Sequence, residues 1–468
     1  MGGPRFRQRT RVHPFSRTSL CGAPSRVGYT APVPDTHLAA PPPDAPPDAK
    51  ARSPSSPFSA LRHRDFRLLW AGQFVSITGS QMQLVAINWH VYLLTKSSVA
   101  LGLVGLVRVV PIVLCSLAGG VVADAFDRKR LMIAAQVVML ASAGALSALT
   151  AAGAAKVWII YVLTALSSAA TSFENPARQA LVPALVPAAD LPQAISLGLI
   201  TFQTATVTGP LIAGVVLGAY GPAPVYAANA ASFLAVTGAV LMLRSGGRAE
   251  GEEIGVVSFE ALREGLRFVR RTPVIVQTMA LDFVATFFAS ATALLPIFAR
   301  EILRVDARGF GLLAAAPAAG SVVVGLVMTR FGWIRRPGAT VLASVAVYGA
   351  ATLAFGLSRL FWLSCAMLAL VGAADTVSTV VRQTVRQLVT PDRLRGRMTS
   401  VNMIFFMGGP QLGELEAGLL AAAVGAPLSV VLGGVGAIVA VAFTALKARE
   451  LLRYRFAHDR ESDRSGKS

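Results

Sequence analysis

Hydrophobic positions in this chain come in long unbroken runs, not in the alternation of half-buried strands. Twelve such runs lie near 68–93, 99–123, 131–153, 157–178, 190–218, 222–243, 273–298, 309–329, 338–357, 360–381, 398–424 and 426–447. Each approaches or exceeds the ~20 residues that a helix needs to cross the hydrocarbon core of a bilayer. In lipid the backbone must satisfy its own polar groups, so helices are the form these runs take. The pattern predicts an all-α membrane protein with twelve transmembrane helices.

The polar positions between the runs set the topology. Loops after the even-numbered runs carry Arg128, Lys129 and Arg130; Arg178; Arg244 to Arg271; Arg330, Arg335 and Arg336; and Arg386 to Arg397. The opposite loops carry only Lys96, Lys156, a mixed group at 300–308, and Arg359. By the positive-inside rule the denser set is cytoplasmic, and so are both termini. The long internal loop holds Phe259, Leu262, Leu266 and Val269 at helical spacing. This predicts an amphipathic helix lying on the inner leaflet.

Five segments follow: a Pro/Arg-rich tail over 1–57, a six-helix bundle over 58–243, a linker over 244–272, a second six-helix bundle over 273–447, and a tail over 448–468. Residues 1–57 cannot bury a core and are expected to be disordered. They read as a cytoplasmic tail or an over-called start, with a lipid-binding basic arm as the alternative. The segment has no apolar stretch of signal-peptide type.

Composition supports the membrane reading. Of the 468 residues 54% are hydrophobic and 14% charged, with mean hydropathy +0.59. A soluble domain carries roughly a quarter charged residues. The formal charge of +19 is scattered over loops and tails beside apolar runs, so it suits anionic lipid headgroups better than nucleic acid. Cys21, Cys115 and Cys365 have neither disulfide-framework nor zinc spacing. Metalloprotease, Walker-type and nucleophile-elbow motifs are absent from the sequence, so neither ATP hydrolysis in this chain nor a cofactor is expected to drive its work.

An internal repeat supports the division into halves. Arg178-Gln179 and Pro187 recur as Arg382-Gln383 and Pro391, displaced by 204 positions. The hinge Gly120-x-x-x-Asp124-x-Phe126-Asp127-Arg128-Lys129-Arg130 has a weaker echo at Gly325–Arg336, one residue further displaced, with Thr329 where Asp124 stands. Two concordant offsets imply two bundles of the same topology, related by an axis along the membrane normal.

Gly120, Asp124 and the basic run Arg128–Arg130 resemble the loop 2–3 signature of the major facilitator superfamily, with Asp127 in place of a glycine. Pro391-Asp-Arg-Leu-Arg-Gly-Arg397 resembles the matching segment before span 11. Asn175-Pro-Ala-Arg-Gln-Ala-Leu-Val-Pro183, Ala293–Ala299 and Leu412–Gly418 are similar to the drug- and siderophore-exporter branch that includes enterobactin exporters and macrolide-efflux-like proteins. The resemblance covers residues 60–447 and implies a secondary transporter. It also implies that Gly209-Pro210, with Ala213-Gly214 after it, is the core of an antiporter motif forming a periplasmic-side gate. Asp124 is then expected near the start of span 11, around 396–400, and Arg128 beside a carboxylate.

Charges inside the spans are the remaining candidates. Glu174 and Arg178 stand at i, i+4, the favourable order for a helix ion pair. Asp375, Thr379 and Arg382 share one face of span 10. These residues read as gate or structural pairs. Asp282 in span 7, Glu414 and Glu416 in span 11 and Arg108 in span 2 each cost about 2.5–3.5 kcal/mol if buried unpaired. They are expected to pair, to line a cavity, or to be neutralised by a proton. Asp282 is the first candidate for proton coupling and Glu414 the second. His90 is expected at the membrane interface, and Phe287, Phe288, Phe405 and Phe406 as cavity walls or ordinary packing. The cavity should otherwise be apolar and rich in Gly and Ala.

The sequence therefore points to a monomeric, multi-pass protein of the bacterial inner membrane whose partners are lipid, protons and a small molecule. It is expected to export a lipophilic drug-like or siderophore-like compound in exchange for protons. A metabolite importer and a non-transporting sensor or scaffold remain as alternatives.

Overall fold

The structure, a computed structural model, describes residues 58–125, 127–244, 267, 269–270, 272–330, 336–391 and 395–447. Side chains of 116–125, 274, 291, 395–397 and 399–407 lie outside the description, and with them the side chains of Asp124, Phe405 and Phe406. The tail over 1–57, the amphipathic stretch around 259–266 and the basic turn at 331–335 also lie outside it. Ser55–Ser468 forms one compact unit.

Among the described residues every regular element is helical. The first six are α1 (Arg64–Thr95), α2 (Ser98–Ala125), α3 (Arg128–Ala151), α4 (Val157–Leu185), α5 (Leu191–Tyr220) and α6 (Pro222–Leu241). The second six are α7 (Pro273–Phe288), α8 (Ala307–Arg330), α9 (Pro337–Leu357), α10 (Phe361–Val389), α11 (Arg395–Val424) and α12 (Ala426–Lys447). Ten stretches of described residues are long and apolar enough to cross a membrane, and α1 and α11 are not among them. The polar content of α1 accounts for its case: Gln73, Gln83 and His90 are buried between helices.

Short connections make chain neighbours antiparallel. Gly221, at φ +78°, ends α5, and Pro222 starts α6 at once. Gly425, at φ +87°, does the same between α11 and α12. Only a residue without Cβ takes this left-handed conformation at little cost. Asp127 is the N-cap of α3, its carboxylate accepting from the backbone N–H of Lys129 and Arg130 at 2.9 and 3.1 Å. That is the local reason for an acid where the signature has glycine.

Span 7 departs from the uninterrupted run that its hydropathy predicts. The α-helix stops at Phe288, and 3₁₀, α and π turns carry the chain from Ala291 to Ile302. The carbonyl of Ala289, freed at the break, accepts from the Tyr348 hydroxyl at 3.2 Å. Ser290 donates across to the carbonyl of Pro410 at 3.0 Å. Broken helices persist at membrane depth where other parts of the protein satisfy the freed groups.

Helices α1–α6 pack mainly on one another, and so do α7–α12. Between the halves the strong pairs are α2 with α11 and α5 with α8. Both crossings lie toward the end where α1 gives way to α2, and glycines permit both. A Cβ on Gly214 would lie 2.9 Å from Gly311 Cα, and one on Gly418 would lie 2.9 Å from Gly102 Cα. Gly214 and Gly418 are separated by the repeat spacing of 204 positions, so the two crossings are repeat-related at these glycines. A large buried cluster covers the same end and draws on both halves, including Trp89 and Tyr92 of α1, Leu294–Ala299, Phe310 of α8 and Ala417 of α11. At the opposite end, the α2–α3 end, the clusters formed by the described residues are separate. One belongs to the first half, around Leu69, Met132 and Leu181, and another to the second, around Leu281, Val341 and Val381.

Helix association in lipid rests on such close approach, because lipid tails are as apolar as the side chains they replace. Gly418→Val is expected to destabilise the protein by about 1–3 kcal/mol through overpacking. Gly238→Ala, at a position with no heavy atom within 4 Å, is expected to be neutral or mildly stabilising. Thermal unfolding in detergent, comparing both variants with the parent, checks this.

Candidate functional site

Three groups of polar residues stand out in this apolar frame. The first belongs to the seal at the α1–α2 end. Tyr92 of α1 donates to Glu301 Oε1 of the other half at 2.6 Å, with Lys96 Nζ 4.5 Å above the Tyr92 ring. Trp89 stacks on Phe310 with centroids 5.0 Å apart. Glu414 accepts from the Thr292 hydroxyl at 3.3 Å and sits in the field of Arg108 of α2. It packs at Gly105, where a Cβ would meet the Glu414 carboxylate at 2.6 Å. Arg108 and Glu414, read separately from the sequence, thus belong to one interface between halves. Glu416, two residues along α11, has no place in this arrangement.

Gly209 and Pro210 approach the same region from α5. A Cβ on Gly209 would lie 2.6 Å from Gln81 Cβ of α1. One on Gly311 of α8 would lie 2.6 Å from the Pro210 carbonyl oxygen. The motif therefore seats α5 against α1 on one side and against the other half on the other.

The second group is a pair of arginine networks related by the repeat. In the first half Arg178 Nη2 donates to Asn175 Oδ1 at 2.8 Å, and its Nε lies 3.4 Å from Glu174 Oε1. Gln73 of α1 donates to the same Glu174 oxygen at 3.1 Å. In the second half Arg382 donates to Ser378 Oγ at 2.8 Å and Thr379 Oγ1 at 2.9 Å, and its Nη2 lies 2.7 Å from Asp282 Oδ1 of α7. Ser378 and Thr379 stand where the first half has Glu174 and Asn175. The acid has moved from the arginine's own helix to the neighbouring one. Asp282 is thus an ion-paired residue, with Arg382 only 6% exposed and Asp282 16%. Arg386, one turn further along α10, adds positive charge near Asp282.

The third group lines a cavity of ≈290 Å³ beneath the seal. Gln203 and Thr206 come from α5, Thr286 and Ser290 from α7 and its break, Tyr348 and Thr352 from α9, and Asp375 from α10. A small cleft joins Asp375 to Asp282, Tyr348, Ser378 and Arg382. Most of the wall is apolar, as expected, with Ala289, Ala318, Phe355, Leu368, Val371 and Gly372 among its residues, and hydroxyls are set into it at several points. Serine and threonine score near neutral in hydropathy, which hid them. Phe287 and Phe288 do not line it. The Phe287 backbone packs against Gly413, and the Phe288 ring lies 3.0 Å from the Cβ position of Gly436.

Other expectations fare differently. Arg128 donates to the backbone carbonyl of Ala180 at 2.9 Å, and the side chain of Asp124 lies outside the described residues. Lys129 Nζ donates to the Leu243 carbonyl at 2.9 Å, a cation at the carbonyl end of α6. These hinge cations tie the first half to itself, and Arg130 contributes its backbone N–H to the Asp127 cap. Gly120 lies in the part of α2 whose side chains are outside the description. His90, near the end of α1, is packed between helices: it is 6% exposed and its Nδ1 lies 3.2 Å from the Tyr226 hydroxyl. Sequence reasoning missed Tyr348, Glu301 and the hydroxyls at the α7 break. Ser290, Thr292 and Pro296, inside one apolar run, were the available signal.

A bundle in two repeated halves, sealed at one end over a polar cavity, defines a membrane transporter of major facilitator type. The family described as transmembrane secretion effector matches residues 55–462, and the chain belongs to it. It is a multi-pass membrane transporter and not an enzyme. The chain is 25% identical over 394 residues to the enterobactin exporter EntS of Salmonella choleraesuis (strain SC-B67), covering 84% of this chain and 94% of that one. Identity to the enterobactin exporter of Escherichia coli O1:K1 / APEC is 25% over 393 residues, with the same coverage. Among solved structures, a bacterial homologue of the human lysosomal transporter Spinster, inward-facing and unoccupied, matches with TM-score 0.68 at 15% identity, covering 85% of this chain and 99% of that one. The nucleoside transporter NupG matches with TM-score 0.62 at 13% identity, covering 84% and 100%. The last two show the fold alone.

Arg382→Met removes the partner of a buried carboxylate and is expected to cost about 3–5 kcal/mol, while the double variant with Asp282→Asn recovers most of that loss. Thermal denaturation of the four proteins of the cycle measures the coupling.

Proposed function

We propose that this protein is a secondary active exporter of the bacterial inner membrane, with twelve spans in two six-helix bundles and both termini cytoplasmic. It moves lipophilic drug-like or siderophore-like small molecules outward in exchange for protons. The observation that carries this reading is the packing between halves, which is strong at the α1–α2 end and, among the described residues, gives way to separate clusters at the α2–α3 end. With the basic loops in the cytoplasm, the seal is periplasmic and the cavity opens inward. Rocking one bundle against the other would open the seal and close the cytoplasmic side. Outward direction is supported by the enterobactin exporters among the relatives.

The gate residues divide between the two ends in this reading. Gly209, Pro210, Arg108 and Glu414 belong to the periplasmic seal. Asp124, with Gly120, closes the cytoplasmic side against the start of α11, over a base that Arg128 and Arg130 hold on the first half. Glu174, Arg178 and Arg382 keep the inner ends of α4 and α10 rigid.

Coupling rests on the carboxylates around Arg382. Asp282 holds the arginine directly, and Asp375 stands two turns before it on α10 and faces the cavity. When the cavity opens to the acidic side a proton enters this cluster, and when it opens to the cytoplasm the proton leaves. The membrane potential supplies about 2.3 kcal/mol per charge per 100 mV, so no ATP is needed.

Everted vesicles test direction and coupling together. Energised vesicles should accumulate lipophilic dyes or catecholates from a test panel, an uncoupler should abolish the uptake, and Asp282→Asn should reduce it at least about tenfold, the equivalent of about 1.4 kcal/mol. Gradient-driven loss from the vesicles would make the protein an importer. Uptake by Asp282→Asn with an unchanged pH dependence would overturn the coupling assignment.

A further inference from the structure

The hydroxyls of the cavity wall share one property that decides what the cavity can hold. A hydroxyl has one proton to donate and two lone pairs to accept with. Thr206 donates to the Phe202 carbonyl at 2.8 Å, and Thr286 to the Asp282 carbonyl at 2.8 Å. Ser290 donates to Pro410 at 3.0 Å, and Ser321 is within 3.0 Å of both the Pro317 and Gly372 carbonyls. Thr352 donates to the Tyr348 carbonyl at 2.9 Å, and Tyr348 itself to the Ala289 carbonyl at 3.2 Å. Thr292 donates to the Glu414 carboxylate at 3.3 Å. Of the seven hydroxyls of the lining, six commit their proton to backbone and one to a carboxylate, so what they have left for a ligand is lone pairs.

Charge points the same way. Among the described residues Asp375 is the one charged side chain in the lining of the main cavity. The nearby cation, Arg382, is taken by Asp282, Ser378 and Thr379 and borders only the adjoining cleft. Gln203, through its amide, is the remaining side-chain donor of the lining. A polyanionic or acceptor-rich ligand would meet lone pairs and a carboxylate, and each buried acceptor left without a donor costs about 1–3 kcal/mol.

We propose that this cavity selects organic cations that carry N–H donors, such as protonated amines, with Asp375 as the counter-charge, and disfavours anions of similar size. This rests on the reading of the cavity as the transport site and narrows the substrate class within it. A catecholate siderophore in its anionic form would be a poor ligand.

Two xanthene dyes of similar size test this. Rhodamine 123 is a cation with amino donors, and fluorescein is an anion at pH 8. Fluorescence polarisation with the full chain in detergent should give rhodamine 123 at least about tenfold tighter binding than fluorescein, the worth of one charge-assisted contact. Asp375→Asn should cut that ratio at least about fivefold, and Asp375→Glu, which keeps the charge, should preserve it. Equal or tighter fluorescein binding, no binding of either dye, or an unchanged ratio in a folded Asp375→Asn protein would overturn the proposal. Binding is read without a gradient, so this result and the everted-vesicle result can fail independently.

Discussion

Close approach of helices at one end of the molecule is the constraint on which the rest depends. Two crossings, α2 on α11 and α5 on α8, bring glycine backbones together. Nothing in a bilayer pushes apolar helices together, so association follows from backbone contact of this kind and from the few hydrogen bonds that cross with it. Tyr92 to Glu301 and Thr292 to Glu414 are two of the polar contacts at this end. Tyr92 to Glu301 joins the two halves directly, and Thr292 seats Glu414 in the wall it presents to α2, in the field of Arg108. Everything below the seal follows. Because the halves meet there, a cavity is enclosed beneath it, and the described residues at the other end form separate clusters in the two halves.

The two halves keep the repeat in their backbone and break it in their chemistry. Arg178 and Arg382 stand at equivalent positions and reach equivalent polar atoms three residues back. In the first half the acid is on the arginine's own helix, so the network stiffens α4. In the second half the acid is Asp282 of α7, so the network joins α7 to α10 and places charge beside the cavity.

Much of the helix layout was legible from the sequence, because hydropathy over a bilayer-length window is a strong signal. The arginines were legible too, through the displaced pair Arg178 and Arg382. What could not be read was tertiary. The partner of Arg382 lies 100 residues earlier in the chain, so the spacing of Asp375, Thr379 and Arg382 suggested a face but not the contact. The break in α7 was hidden because Ala289–Thr292 keeps the run apolar on average. Whether a threonine offers a proton or a lone pair depends on which carbonyl it has already bonded, and no pattern of residue types records that.

The central claim is that the two ends open alternately. Spin labels at Leu199→Cys and Leu326→Cys, exposed on the inner halves of α5 and α8, report the α2–α3 end. Labels at Lys156→Cys and Arg359→Cys report the other, in a background where the three native cysteines are serine. Pulsed electron spin resonance in nanodiscs at pH 5 and pH 8 should show one distance shortening as the other lengthens. Two distances that stay fixed, or that change in the same sense, would contradict the account.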